Sequence, residues 1–263
     1  MKIGIFDSGM GGLSLLHKAL KYLPGEDYIY YADIANVPYG SKTPEQIKAF
    51  SAAAAEFMID KGCKAMVVAC NTATSVAIEF LRENYNFPIL GIEPAVKPAV
   101  THEGHKRVLV MATPVTVREA KLHMLISRLD AKDDVDLMAM PDLVSLAERE
   151  EFGDDVAKYI KKQLGDTDLT QYSDLVLGCT HFNNFKDTFA KLFPKETALI
   201  DGSRATIRHL DSILTEKGIR GGGSGSVEYY ISGGSLADNN FCEKAQRFLA
   251  RLEEMEKITC GTL

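Results

Sequence analysis

Two short segments of this chain set a thiol beside hydrogen-bonding side chains. Val67-Val68-Ala69-Cys70-Asn71-Thr72-Ala73-Thr74 ends an apolar run and opens a helical pattern, and Val176-Leu177-Gly178-Cys179-Thr180-His181-Phe182 does the same in the second half. Each cysteine falls at the carboxyl end of an expected strand, where open α/β sheets bind ligands. Each is followed by side chains able to hydrogen-bond a carboxylate. A helix N-terminus lowers a thiol pKa from its reference of about 8.5, which makes thiolate accessible at neutral pH. A single free cysteine is usually buried and inert; two in matching contexts suggest opposed acid/base groups on either side of one bound carbon. Cys63, Cys242 and Cys260 lack such a context. His181 could be a satisfied histidine near a loop or, two residues after Cys179, could orient or deprotonate that thiol, while Asp7 could serve Cys70. A Cys-His hydrolase would use Cys179 and a histidine but leave Cys70-Asn71-Thr72 without a role.

A third segment, Phe6-Asp7-Ser8-Gly9-Met10-Gly11-Gly12, lies between an expected strand and helix. Its glycines would let backbone approach a ligand, and the helix N-terminus would offer N–H groups to an anion. They would equally make a tight strand-to-helix turn. The dinucleotide fingerprint G-x-G-x-x-G/A fails at its last position, Ser14, and leaves Asp7 unexplained, although Asp33 lies about 20 residues on, where a ribose-binding acid is expected. No H-E-x-x-H, C-x-x-C or clustered His/Cys spacing suggests a metal. The expectation is catalysis without a cofactor.

At these residues the chain resembles the glutamate racemases, a group of cofactor-independent amino-acid racemases. The resemblance rests on Phe6-Asp7-Ser8-Gly9-x-Gly11-Gly12, Val37-Pro38-Tyr39-Gly40, Ala69-Cys70-Asn71-Thr72-Ala73 and Leu177-Gly178-Cys179-Thr180-His181, in the family's order and spacing. The related aspartate racemases typically carry His after C-N-T-A and Glu after G-C-T; here Thr74 and His181 stand there, which favours glutamate. The resemblance implies that Cys70 and Cys179 are the catalytic acid/bases. It implies assistance from Asp7, His181 and a glutamate on a long helix, best matched by Glu148, with Glu150 and Glu151 close by. It puts Asp7, Ser8, Tyr39, Gly40, Asn71, Thr72, Thr180 and His181 in the substrate site, with Thr113 and Thr116 as further contacts. Ser145 and Asn183 stand where the family often has proline.

The implied reaction interconverts L- and D-glutamate by two-cysteine acid/base catalysis, supplying D-glutamate for bacterial peptidoglycan. Racemisation of another acidic amino acid is the nearest alternative. A cleft that only holds a ligand, as in periplasmic-binding-like or nucleotide-sensing modules, is the non-catalytic one.

These residues need elements to hold them. Apolar runs alternate with helical spacing: strands at 3–6, 28–31, 65–69, 88–91, 108–111, 135–140, 175–177, 198–201 and 227–232, and helices at 13–22, 45–61, 74–84, 117–129, 185–192 and 238–256. The stretch 143–164 reads as one or two helices. Such alternation predicts parallel sheets with helices on both faces. The fold class expected is α/β, with two Rossmann-like or flavodoxin-like domains and the active site in the cleft between them. The family's fold would put 1–95 plus 207–263 in one domain and 96–206 in the other. Gly221-Gly222-Gly223-Ser224-Gly225-Ser226 reads by composition as a flexible linker or long loop.

Length and charge agree with a small-molecule enzyme. At 263 residues the chain can bury a sizeable core, and 46% hydrophobic with 25% charged residues excludes disordered or fibrous classes. A net charge of −6 makes nucleic acid a poor partner. No apolar run is long enough to span a membrane, and the first residues lack a signal peptide's apolar stretch, so a cytoplasmic location is expected. A homodimer is among the oligomeric states the sequence leaves open.

Overall fold

The computed structural model describes residues 1–92, 94–236 and 240–258. Among the described residues, nine strands form two sheets, and every pairing is parallel. The first sheet holds β1 (Ile3–Asp7), β2 (Tyr28–Ala32), β3 (Ala65–Val68), β4 (Ile89–Gly91) and β9 (Val227–Ile231), in the order β4-β3-β1-β2-β9. The second holds β5 (Arg107–Ala112), β6 (Val135–Ala139), β7 (Tyr172–Gly178) and β8 (Ala198–Ile200), in the order β6-β5-β7-β8. Helices α1 (Leu13–Tyr22), α2 (Pro44–Asp60) and α3 (Asn71–Asn84) serve the first sheet. Then come α4 (Val96–Thr101), α5 (Pro114–Arg118), α6 (Ala120–Arg128), α7 (Leu143–Glu148), α8 (Asp154–Leu164), α9 (Lys186–Leu192), α10 (Ser203–Glu216) and α11 (Phe241–Met255). The α/β class with two mainly parallel sheets is as expected.

The central strands are largely apolar because both faces are covered. β1 and β3 are buried along their whole length, as parallel strands with helices on both sides must be. On one face of the first sheet Ile3, Ile5 and Tyr30 pack with Leu16 of α1, Leu210 of α10 and Phe248 of α11. On the other, Phe6, Val68 and Met66 meet Ala54 and Met58 of α2 and Ala77 of α3. The second sheet is covered in the same way by α7, α8 and α9 on one side and α4 and α6 on the other.

Strand order fixes where a ligand can go. The chain runs from β1 to β2 on one side and returns to β3 on the other, so β1 and β3 flank a switch point; β5 and β7 flank another in the second sheet. Ligands bind beyond strand carboxyl ends at such points. The residues there are Asp7 at the end of β1, Cys70 after β3, Thr113 after β5 and Cys179 after β7.

Several elements differ from expectation. The helix expected at 117–129 is two, broken at the extended Glu119; Thr113, whose side chain accepts the Thr116 N–H, and Pro114 at the first helical position start α5 early. The 143–164 stretch, expected as one or two helices, is two, divided after Glu148 where Glu150 takes φ 57°. α4 forms despite Pro98, which lies in its first turn, where no backbone N–H is needed. α10 was not anticipated, although Ile207, Leu210 and Leu214 follow helical spacing and are buried. It crosses residue 206 and packs on α1.

The glycine-serine segment is pinned rather than loose. Asp27 accepts the backbone N–H and hydroxyl of both Ser224 and Ser226. The buried Lys64–Glu26 pair, 2.6 Å apart, holds the segment's other end through the Ile219 and Gly221 backbone. Residues 237–239, where the last helix was expected to begin, and Cys260 lie outside the described residues. No helix among the described residues is long and apolar enough to cross a membrane.

Candidate active site

β1 ends in Asp7, which is fully buried. Its Oδ2 accepts the Gly9 N–H at 2.9 Å, and its Oδ1 accepts the Thr180 hydroxyl at 3.3 Å. Burial pushes the Asp7 carboxyl up, against the opposing pull of His181 and of the Gly9 N–H. Thr180 follows β7, so this bond joins the two halves of the chain.

Cys70 caps the N-terminus of α3, where its Sγ accepts the Ala73 N–H at 3.4 Å. Its thiol lies 3.5 Å from the Ser8 hydroxyl. A helix N-terminus favours thiolate, but here burial and then the Asp7 charge win, and the thiol is pushed up to about 12. The expectation of an easily formed thiolate therefore does not hold for Cys70 in the resting protein. Cys179 begins a 3-10 turn (Thr180–Phe185), and its Sγ lies 3.9 Å from His181 Nδ1. The other imidazole nitrogen, Nε2, is 2.6 Å from Glu148 Oε1. Burial opposes the imidazolium, yet the bonds to Cys179 and Glu148 outweigh it and hold His181 well above its ordinary range. Glu148 is held below the usual carboxylate range: burial works against the charge, but His181 and the Met10 N–H, 2.7 Å away, prevail.

The glycines of the first turn serve this arrangement. A Cβ on Gly9 would come within 2.1 Å of Glu148 Oε1, and one on Gly11 within 2.4 Å of both His181 Nδ1 and Thr180 Oγ1. Gly9 and Gly11 make room for side chains of the second half. Asp33, the acid at ribose-binding spacing, accepts the Tyr39 hydroxyl at 2.6 Å and the Asn36 amide. It is committed within the first half.

One narrow cavity gathers most of these groups. Ser8, Tyr39, Gly40, Cys70, Asn71 and Thr72 line it from the first half, and Thr113, Cys179, Thr180 and His181 from the second. Its volume is about 10 Å³, the minimum for a single water. Asp7, Glu148 and Thr116 stand just behind the walls: Asp7 under Thr180, Glu148 behind His181, and Thr116 bonded to the Thr72 and Thr113 hydroxyls at 3.4 and 3.1 Å. Thr72 and Thr113 themselves meet across the halves at 2.9 Å.

The Asp/Glu/Hydantoin racemase family model matches residues 6–210. The chain belongs to that family. Within the family, the chain is similar to the glutamate racemases, sharing 49% identity with the one from Lachnospira eligens over 98% of this chain and all of the relative. Of solved structures, the Francisella tularensis glutamate racemase in complex with D-glutamate is similar at 30% identity and TM-score 0.82, over 95% of this chain and 93% of that one. The Escherichia coli glutamate racemase, solved with L-glutamate and the activator UDP-MurNAc-Ala, is similar at 28% and 0.80, over 95% of each chain.

In this family member, geometry separates the three neighbouring glutamates. Glu148 reaches His181, whereas Glu150 pairs with Arg247 and Glu151 with Arg149. Pro38 and Val144 also line the cavity; Pro38 sits in a quoted motif, while nothing in the sequence marks Val144. Tyr30, whose hydroxyl donates to the Gly9 carbonyl at 2.7 Å, props the glycine turn from below. No metal-ligand spacing was read in the sequence. The group of three metal-capable side chains found among the described residues, His17, Glu253 and Glu256, does not line the cavity, and Glu256 already pairs with Lys18 and Lys21.

Proposed function

We propose that this chain interconverts L- and D-glutamate, with Cys70 and Cys179 as the two acid/bases. The observation that carries the reading is that a thiol from each half lines one cavity. Cys179 Sγ, as thiolate, removes the α-proton of L-glutamate on one face, and the Cys70 thiol delivers its own proton to the other. For D-glutamate the roles reverse. The high pKa of Cys70 suits the first direction, since that group starts as the acid.

The reverse direction needs a Cys70 thiolate, and Asp7, itself pushed up by burial, is the carboxyl whose charge bears on it. The imidazole of His181 adjoins Cys179 Sγ and is oriented from behind by Glu148. The α-proton beside an ionised carboxylate is weakly acidic, so fixed donors must stabilise the developing charge. The Thr72, Thr113 and Thr180 hydroxyls are suited to this. The Asn71 amide oxygen is buried without a partner, an acceptor fit for the substrate ammonium.

General acid/base catalysis typically contributes about 10²–10⁴-fold, and positioning and electrostatics must supply the rest. A cavity sized for one water cannot admit a five-carbon diacid, so its walls part for substrate. We take residues 1–95 with 207–263 and residues 96–206 as the two units that move, in line with sheet membership. The hand-over then falls within α10. The reading further includes a cytoplasmic enzyme whose D-glutamate feeds peptidoglycan synthesis. The test is polarimetry on L-glutamate with purified protein and nothing added. Decay of rotation to zero is expected; constant rotation would refute the activity.

A further inference from the structure

Helix α11 carries a basic stripe, Lys244, Arg247 and Arg251, spaced i, i+3, i+7 along one side. The helix belongs to the first sheet's core through Phe241, Ala245, Phe248 and Leu252. The stripe, however, grips segments that follow strands of the second sheet. Lys244 Nζ donates to the Glu148 carbonyl at 3.4 Å. Arg247 meets Glu150 through two bonds of 2.7 Å. Arg251 donates to the Asn184 carbonyl at 2.8 Å and to Asp187, with its guanidinium 4.2 Å over the Phe152 ring.

The grip falls on a strained residue. α7 ends in a Schellman turn, with Glu150 N–H bonded to the Ala147 carbonyl and Glu151 N–H to that of Leu146. The left-handed position of that turn favours glycine, yet Glu150 occupies it at φ 57°. The side chain kept there against local preference is the one Arg247 holds.

We propose that Arg247 and Glu150, flanked by Lys244 and Arg251, form a clamp that fixes the end of α7 so that Glu148 meets His181 in the geometry catalysis needs. Arg247 and Glu150 are positioning residues in this role, and the inference rests on the glutamate-racemising function proposed above. The charged and titratable groups facing the Glu148–His181 pair are Asp7 of β1, Tyr30 of β2, Cys179 of the same turn and Lys244 of α11. Replacing Glu150 alters none of them.

Glu150→Gly separates positioning from folding, because glycine suits the backbone there while the clamp is lost. Its melting temperature should equal or exceed that of the unaltered protein. Its kcat/KM should nevertheless fall about tenfold, within the range that small misplacements produce. The fall must be equal in both directions, since the two enantiomers have equal free energy. With Glu148 loosened, His181 should lose its proton at lower pH, moving the alkaline limb of kcat/KM down. Arg247→Ala should do the same, and Arg247→Lys should recover part of the rate. Unchanged kcat/KM and an unmoved limb in both Glu150→Gly and Arg247→Ala would overturn the clamp. A silent Glu148→Gln, or an unaltered protein inert towards glutamate, would instead remove the reading on which the clamp rests.

Discussion

At Gly11 the side chain that is missing matters as much as those present. Gly11→Ala would press a methyl against His181 and Thr180, each 2.4 Å away. Such overpacking costs about 1–3 kcal/mol, and displacement of the imidazole should lower kcat/KM about 10²-fold; kinetics and thermal unfolding on the same variant check both. The His181–Glu148 pair has a defined pH signature. The raised His181 contributes stability that is full below its unfolded value of 6.5 and is lost as pH rises through the folded value. The lowered Glu148 contributes above its unfolded value of 4.5, and that stability is lost as pH falls through the folded value. Glu148→Gln should therefore cost most stability between about pH 4.5 and 6.5, measured as the difference in denaturant midpoints across pH. A difference that grows steadily into the alkaline range would contradict the pairing.

At the scale of elements, Cys70 and Cys179 were legible because each ends an apolar run and precedes a helix start, a local pattern that survives folding. Tertiary contacts decided other features. The glycine-serine segment has a linker's composition, but Asp27, Glu26 and Lys64 lie far away in sequence and could not be connected to it in advance. Lys64→Met should unpin that segment and leave Glu26 buried without its cation, at a cost of about 3–5 kcal/mol. Glu26→Gln in the same chain should restore part of the loss. Urea unfolding of the two variants measures it, and a single variant as stable as the unaltered protein would show that the pair carries no such energy. Where the 143–164 stretch divides was equally hidden, since a glutamate in a left-handed turn gives no local sign.

For the molecule as a whole, the α/β alternation was readable because strands covered on both faces are largely apolar. Strand order was not, since the return from β2 to β3 across β1 is set by how crossovers pack. That order brings Asp7, Cys70, Thr113 and Cys179 to two facing switch points. The roles of the gathered residues came from resemblance to a family, and chemistry must test them. If one thiol serves each face of the α-carbon, Cys70→Ser and Cys179→Ser must each abolish racemisation in both directions, because inversion needs a base on one side and an acid on the other. In deuterated water, NMR of the α-proton reads what remains. Cys179→Ser should exchange only D-glutamate and Cys70→Ser only L-glutamate, each slowly and with retained configuration. Either single variant racemising near the rate of the unaltered protein would contradict the two-thiol mechanism.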